Sequence, residues 1–151
     1  MSEALIRQQI YAILAAVPNV GVVHDYERWT ADWAKFLELF KDPAGGRILG
    51  WEITRVSYSS IKLSKIQEQV THEFKIQGYM GMKDADRTDV LFNAIIDGAI
   101  APAFRGNHDL NGACSETGAL RAETIDNRSF GSVLCHYADL RLTATEIVRA
   151  V

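Results

Sequence analysis

The sequence predicts an α+β domain in which a mainly antiparallel sheet carries helices packed on one face, a two-layer sandwich. Two observations lead to this prediction: segments with helical and strand periodicity follow one another in the order α-β-α-β-β-α-β-β, and consecutive strands have short connections. Short connections favour antiparallel pairing, because parallel neighbours need a long crossover. The length of 151 residues suits one domain, 1–151, and the contents of 48% hydrophobic and 23% charged residues are ordinary for a globular chain.

The first half of the chain is predicted to contain two helices and two strands. A first helix over 2–17 is followed by a short strand over 20–28, a second helix over 30–41 and a strand over 48–58. Thr30 is the predicted cap of the second helix. The segment 59–66 fits either a hairpin connection or a projecting arm. The predicted inward residues of the two helices are Leu5, Ile6, Ile10, Tyr11 and Leu14, and Trp33, Phe36, Leu37 and Phe40.

The second half begins with the clearest strand of the chain. Over 67–80, Val70, His72, Phe74 and Ile76 alternate with polar residues, which indicates a half-buried strand. A third helix over 88–100 then ends before Pro102, and a polar loop covers 105–118. Two further strands are predicted over 120–125 and 132–145, joined through 126–129. The predicted inward residues of the third helix are Val90, Leu91, Ala94 and Ile95.

The charge and the apolar content of the sequence argue against nucleic-acid and membrane partners, and its cysteines bear on the cellular compartment. Sixteen Lys and Arg face nineteen Asp and Glu, and the basic residues are scattered, so no sequence-specific nucleic-acid partner is expected. No window approaches 18 consecutive apolar residues and the N-terminus lacks the features of a signal peptide, so neither a membrane partner nor secretion is expected. Cys114 and Cys135 are then expected to be free thiols in a reducing cytoplasm.

Motifs for catalysis are missing from the sequence. It has no phosphate loop, no nucleophile elbow and no dinucleotide fingerprint. The acids at 84–89 lack the Gly and Glu of a calcium loop, and the four histidines lack zinc-site spacing, so no cofactor and no metal are predicted. One enzymatic alternative stays open: Cys114 with His108 or His136 as its base would make a thiol-dependent enzyme or a small ligand-binding domain.

A cluster of residues after the first strand suits a protein interface. Tyr26, Arg28 and Trp29 stand close together, and these residue types are enriched at interface hot spots. The alternative is that Trp29 packs against the second helix. We predict Tyr26, Arg28 and Trp29 as interface residues from composition and position.

Several phrases of the sequence together resemble one family. The first helix ends in AAVPNVGVVHDYERW, strands follow with ILGWEITRVSY and THEFKIQGYMG, and TDVLFNAIIDGAIAPAF leads to the closing SVLCHYADLRLTATEIV. Across most of the chain this succession resembles the tail terminator proteins of long-tailed bacteriophages, a tail completion and head–tail joining family, although no single motif is diagnostic.

The resemblance implies a structural virion protein of the tail or neck and not an enzyme. Such subunits form a homo-oligomeric ring, typically a hexamer, on the head-proximal end of the tail tube. The ring stops tube polymerisation and offers a surface to the head-side connector or neck protein. The expected partners are further copies of the chain, the tail tube protein, the connector and, in a contractile tail, the sheath protein.

Overall fold

The computed structural model describes residues 2–43 and 46–150, and it has the predicted α+β architecture. Helical and strand segments alternate in the expected order, with a very short extra strand before the last pair. The helices are α1 (Ser2–Ala15), α2 (Trp33–Glu38), α3 (Thr88–Ile95) and α4 (Ala101–Arg105), with a 3₁₀ turn at Asp84–Asp86 and a π-helical segment at Ile96–Ile100. The strands are β1 (Val22–His24), β2 (Leu49–Lys62), β3 (Gln67–Gly81), β4 (Glu116–Thr117), β5 (Arg121–Phe130) and β6 (Val133–Arg149).

The strands form one mainly antiparallel sheet. Its order is β1-β2-β3-β6, and both β5 and β4 pair with the far edge of β6. Only the short β1 runs parallel to its neighbour, β2. The two longest pairings, β2 with β3 and β3 with β6, extend over nearly the whole length of β3. The α+β class and the mainly antiparallel pairing are therefore confirmed.

Helices cover both faces of the sheet, whereas the sequence predicted one covered face. The larger core lies between the sheet and α1, α3, the π segment and α4. Because antiparallel partners point to the same face, the pairs Ile53↔Ile76 and Tyr79↔Tyr137 assign the two sides of the sheet. The first pair belongs to the larger core, and the second joins a smaller aromatic cluster with α2. The second cluster consists of Phe36, Leu37, Phe40, Tyr79, Phe130, Cys135 and Tyr137.

The long helical segment buries a different face from the predicted one and does not stop before Pro102. Phe92, Ile96, Ile100 and Phe104 are buried, whereas the predicted Val90 and Leu91 are exposed. In an α-helix, each residue four positions further along lies about 40° further around the helix axis. The π turn has more residues per turn, so it rotates such residues in the opposite direction. Residues spaced by four therefore stay on the side that faces the core. Pro102 lies in the first turn of α4, where a missing N–H costs little.

Smaller corrections concern caps, turns and one strand length. Asp32, not Thr30, caps α2, since its carboxylate accepts a hydrogen bond from the Ala34 backbone N–H at 2.9 Å. The first strand covers only three residues of the predicted 20–28. Residues 126–129 lie inside β5 and not in a turn. Leu5 on α1 and Trp33 on α2 are exposed, although both were expected to face the core.

Candidate functional site

The sheet continues beyond the core as a three-stranded arm. We call the arm the residues 55–62 of β2, 67–73 of β3 and 143–149 of β6, with the turn 63–66. Every residue from 55 to 66 is exposed. The segment 59–66 is thus the outer part of a hairpin that projects. The exposed apolar side chains of the arm are Val56, Tyr58, Ile61, Leu63, Ile66, Ile147 and Val148.

Polar contacts at the base of the arm hold its strands together. His72 is buried there and its Nε2 lies 2.7 Å from Oε2 of Glu146 on β6. The ring of Tyr58 packs edge-on against His72, with 5.6 Å between the ring centroids. His72 thus lies on the buried face that the alternation of its strand predicted, and it is hydrogen-bonded there. Because these contacts tie all three strands, the arm projects as an ordered unit.

The two edges of the sheet differ in charge. β1 pairs only with residues 50–52 of β2, so the outer edge of β2 within the arm has no strand partner among the described residues. Residues 56–61 along this edge carry no charge. The opposite edge strand, β5, carries Arg121, Glu123, Asp126 and Arg128, and charged side chains disfavour edge-to-edge pairing. Within the arm, the edge of β2 and the far edge of β6 beyond Thr145 have no strand partner among the described residues, and the β2 edge is the one without charge over 56–61.

A cleft of about 590 Å³ opens on the face of the sheet that α2 covers. We call it the acidic cleft because two carboxylates, Glu27 and Glu52, contribute to its lining. Trp29, which is 80% exposed, lies at its rim. Its other lining residues are Arg28, Thr30, Ala31, Trp33, Phe36, Gln77, Tyr79, Arg128, Phe130 and Tyr137.

The carboxyl group of Glu52 is the unusual feature of this cleft. The side chain is only 2% exposed, and Oε2 has no hydrogen-bond partner. Burial, and next the charge of Glu27, raise the pKa of Glu52 to about 7, against the weaker effect of a hydrogen bond from the Arg28 backbone. Burial and Glu52 likewise raise the pKa of Tyr79. A buried carboxyl with an unpaired oxygen is costly to the fold, so it is a candidate for binding a ligand or partner.

The predicted interface residues lie at or beside this cleft. Arg28 and Trp29 contribute to its lining, and the Arg28 guanidinium carbon stands 5.0 Å above the ring of Tyr26. Arg28 Nη1 also lies 3.1 Å from Nδ1 of His24. Tyr26 is more than half exposed and Trp29 does not pack into the core. The interface role of these three residues stays a prediction, and the structure brings them together on one accessible surface.

Sequence reasoning missed Glu52. The alternation in WEITR assigns Glu52 to the face opposite Trp51 and Ile53, and that face was expected to be open to solvent. α2 and its aromatic residues cover part of this face, so the carboxylate is buried. The sequence feature that could have pointed to Glu52 is an acidic residue directly after Trp51 within a predicted strand. That pattern is too common to indicate a buried carboxyl.

The geometry around Cys114 does not favour thiol catalysis. Cys114 is a free, buried thiol in the larger core, and burial, with the nearby acid Asp109, raises its pKa to about 11. A nucleophilic cysteine requires a lowered pKa. Both ring nitrogens of His136 are already occupied, Nε2 by the Thr88 hydroxyl at 2.8 Å and Nδ1 by Asn127 at 3.0 Å. Cys135 is the second free, buried thiol, as predicted.

Asp86, in the acidic segment 84–89, forms ion pairs with basic side chains. Asp86 pairs with Lys83 at 3.4 Å and with Arg47 at 3.8 Å. Over residues 2–43 and 46–150, no group of three or more His, Cys, Asp or Glu side chains is arranged to hold a metal ion. None of the described helices is both long and apolar enough to cross a membrane.

Comparison with known proteins adds no assignment. Neither a scan of protein-family models nor a search of curated proteins finds a match to this chain. The arm and the acidic cleft are therefore the features from which a function is inferred.

Proposed function

We propose that the chain is a ring-forming subunit of a bacteriophage tail, of the tail terminator type. In this role several copies, typically six, close a ring on the head-proximal end of the tail tube. The ring stops further polymerisation of the tube and offers the surface to which the head-side connector attaches. The arm is the observation that carries this proposal, and the resemblance of the sequence supports it.

The arm has the properties of a surface that is covered in an assembly. Its outer strand leaves backbone N–H and C=O groups unpaired along an uncharged edge, and such edges add strands from other chains. Ile61 at 63% exposure and several further apolar side chains surround the same segment. A monomer with this arm exposes an aggregation-prone edge, whereas a ring would bury it.

The length of the arm suits a contact between neighbours. Eight residues of β2, 55–62, extend the sheet by roughly 25 Å at the usual rise of a strand. A ring needs a heterologous contact, in which one surface of each subunit meets a different surface of the next. The arm and the core domain are two such different surfaces on one chain.

The test is the native mass of the purified chain by light scattering, with and without purified tail tubes, followed by negative-stain imaging. We expect a ring near six subunits, or a cap at one end of each tube. The variant Ile61→Asp should abolish ring and cap because it places a charge on the open edge. Val90→Asp, at a second exposed apolar position on α3, is the control and should leave both intact; Val90 is 46% exposed and Ile61 63%. A wild-type chain that stays monomeric and ignores the tubes contradicts the proposal.

A further inference from the structure

The acidic cleft is lined by two carboxylates, Glu27 and Glu52, and by two guanidinium groups, Arg28 and Arg128. Oε2 of Glu52 is a buried acceptor without a donor, and Glu27 contributes a second carboxylate to the same cleft. The exposed aromatic rings of this cleft are those of Trp29 and Trp33, whereas Tyr79 and Tyr137 in its lining are buried. A carboxylate beside aromatic faces is the usual environment of a bound ammonium or guanidinium group.

The cations already in the cleft are engaged elsewhere. Arg128 lies 3.8 Å above the ring of Tyr137, and its Nε is 3.3 Å from Asp126. The Arg28 side chain contacts His24 and the ring of Tyr26. Its backbone hydrogen bond and its charge both lower the pKa of Glu52, but its guanidinium makes no hydrogen bond to Oε2 of Glu52. Neither guanidinium satisfies Oε2 of Glu52, so the missing donor has to come from outside the cleft.

The turn of the arm carries cations of the required kind. Lys62 and Lys65 are exposed and take part in no ion pair within the described part of the chain. Apolar side chains, Leu63 and Ile66, flank them and are about half exposed. The ammonium group of such a lysine is complementary in charge to the Glu52 carboxylate, and its apolar neighbours suit the tryptophans at the rim of the cleft.

A chain cannot place its own turn in its own cleft. Glu52 and Leu63 are eleven residues apart along β2, which corresponds to roughly 35 Å for an extended strand. Since β2 and β3 are paired over this whole distance, the arm cannot fold back. A donor on the turn of the arm would therefore belong to another copy, and such a contact has the heterologous geometry that a closed ring requires.

We propose that the turn of the arm of one subunit enters the acidic cleft of the next, and that Lys62 or Lys65 donates to Glu52 there. This inference rests on the proposed ring and specifies its contact. Trp29 and Trp33 at the rim then cover Leu63 and Ile66. The contact places the predicted interface residues Arg28 and Trp29 beside the neighbour's arm.

The first experiment compares ring formation by native mass over a range of protein concentrations. We expect Glu52→Gln, and separately the double variant Lys62→Met with Lys65→Met, to raise the concentration for half-assembly at least 10-fold. Combining all three changes should add little, because they remove the same contact. Glu38→Gln on α2 and Lys83→Met are the matched controls, and both should assemble like the wild type.

The second experiment traps the contact by oxidation. We expect a chain with Ala31→Cys at the cleft to form a disulfide with a chain that carries Leu63→Cys, whereas Leu5→Cys on α1 should not react with Leu63→Cys. The native thiols contribute little background, since both are buried and burial raises their pKa to about 11.

The outcomes separate this inference from the proposed function. Rings that form normally in all variants, without the disulfide, overturn the contact and leave the ring standing. Normal rings of Glu52→Gln that no longer cap tubes overturn it as well, because the tube protein would then occupy the cleft. A wild type that never assembles contradicts the ring and, with it, the contact.

Discussion

The inner and outer parts of β2 differ in burial. Residues 49–53 of β2 are all buried, whereas every residue from 55 to 62 on the same strand is exposed. Register and pairing with β3 continue through both parts, apart from one irregularity between Arg55 and Ser57. The difference arises because helices cover only the inner part. The backbone of a sheet can thus extend well past its own core, and its outer part then depends on its own pairings or on a partner.

The largest expected effect is a loss of stability on removing a buried aromatic side chain. It is tested by replacing one aromatic residue in the inner part of β2 and one in its outer part. Trp51→Ala should lower the free energy of unfolding by about 4 kcal/mol, because the ring is fully buried, stacks on Phe92 and donates to the Val20 carbonyl at 2.8 Å. Tyr58→Ala in the arm should cost at most about 1 kcal/mol, since it loses only partial packing on His72. Urea unfolding curves of both variants measure this, and equal losses would contradict the division between core and arm.

The next effect concerns Glu52, a buried acid in the inner part of β2. The folded chain keeps Glu52 protonated up to about pH 7, whereas the unfolded chain ionises it near pH 4.5. Stability is therefore lost as pH rises through this window, by about 3 kcal/mol in total. Glu52→Gln cannot ionise, so it should be more stable than the wild type above pH 7 by up to about 3 kcal/mol.

Stability measured from pH 4 to pH 8, at concentrations below assembly, checks this expectation. The groups that act on Glu52 are Glu27, Arg28 and Lys75, and Glu52 in turn acts on Tyr79. Glu38→Gln, an exposed acid, should follow the wild-type pH curve throughout. A stability gain of Glu52→Gln that persists unchanged at pH 4 would mean that burial does not shift this carboxyl.

The smallest expected effect on stability is that of replacing an exposed apolar residue in the arm. Ile61→Ser should change the free energy of unfolding of the monomer by less than about 0.5 kcal/mol, because the side chain is exposed. The same substitution at Ile53, which is fully buried, should cost several times as much. Thermal unfolding of both variants is the measurement, and a large loss at Ile61 would show that the arm packs against its own chain.

The alternation of apolar and polar residues along the sequence was sufficient to predict β3, which runs through both the core and the arm. β3 was expected over 67–80 and is found at Gln67–Gly81, because its alternation has the same period as the pleat of a strand. Local composition left open whether segment 59–66 is a hairpin connection or a projecting arm, and in the structure it is the outer part of a hairpin that projects. The predicted interface residues Tyr26, Arg28 and Trp29 were chosen from composition and position, and they lie at or beside the cleft.

Other features depended on contacts between distant segments. The apolar face of the long helix was misjudged because a π turn changes the period by which its residues return to the core. Glu52 was missed because the placement of α2 over the second face of the sheet decides its burial. Alternation states which residues share a face, but not which face another element covers.

The sequence by itself determined the class of fold, the order of the elements and the antiparallel pairing of consecutive strands, since period and connection length are local properties. Only the tertiary structure decided that helices cover both faces, that the arm lies outside the core and that Glu52 is enclosed without a partner. These depend on where segments far apart in the chain meet, and the free energy of burial acts only after they have met.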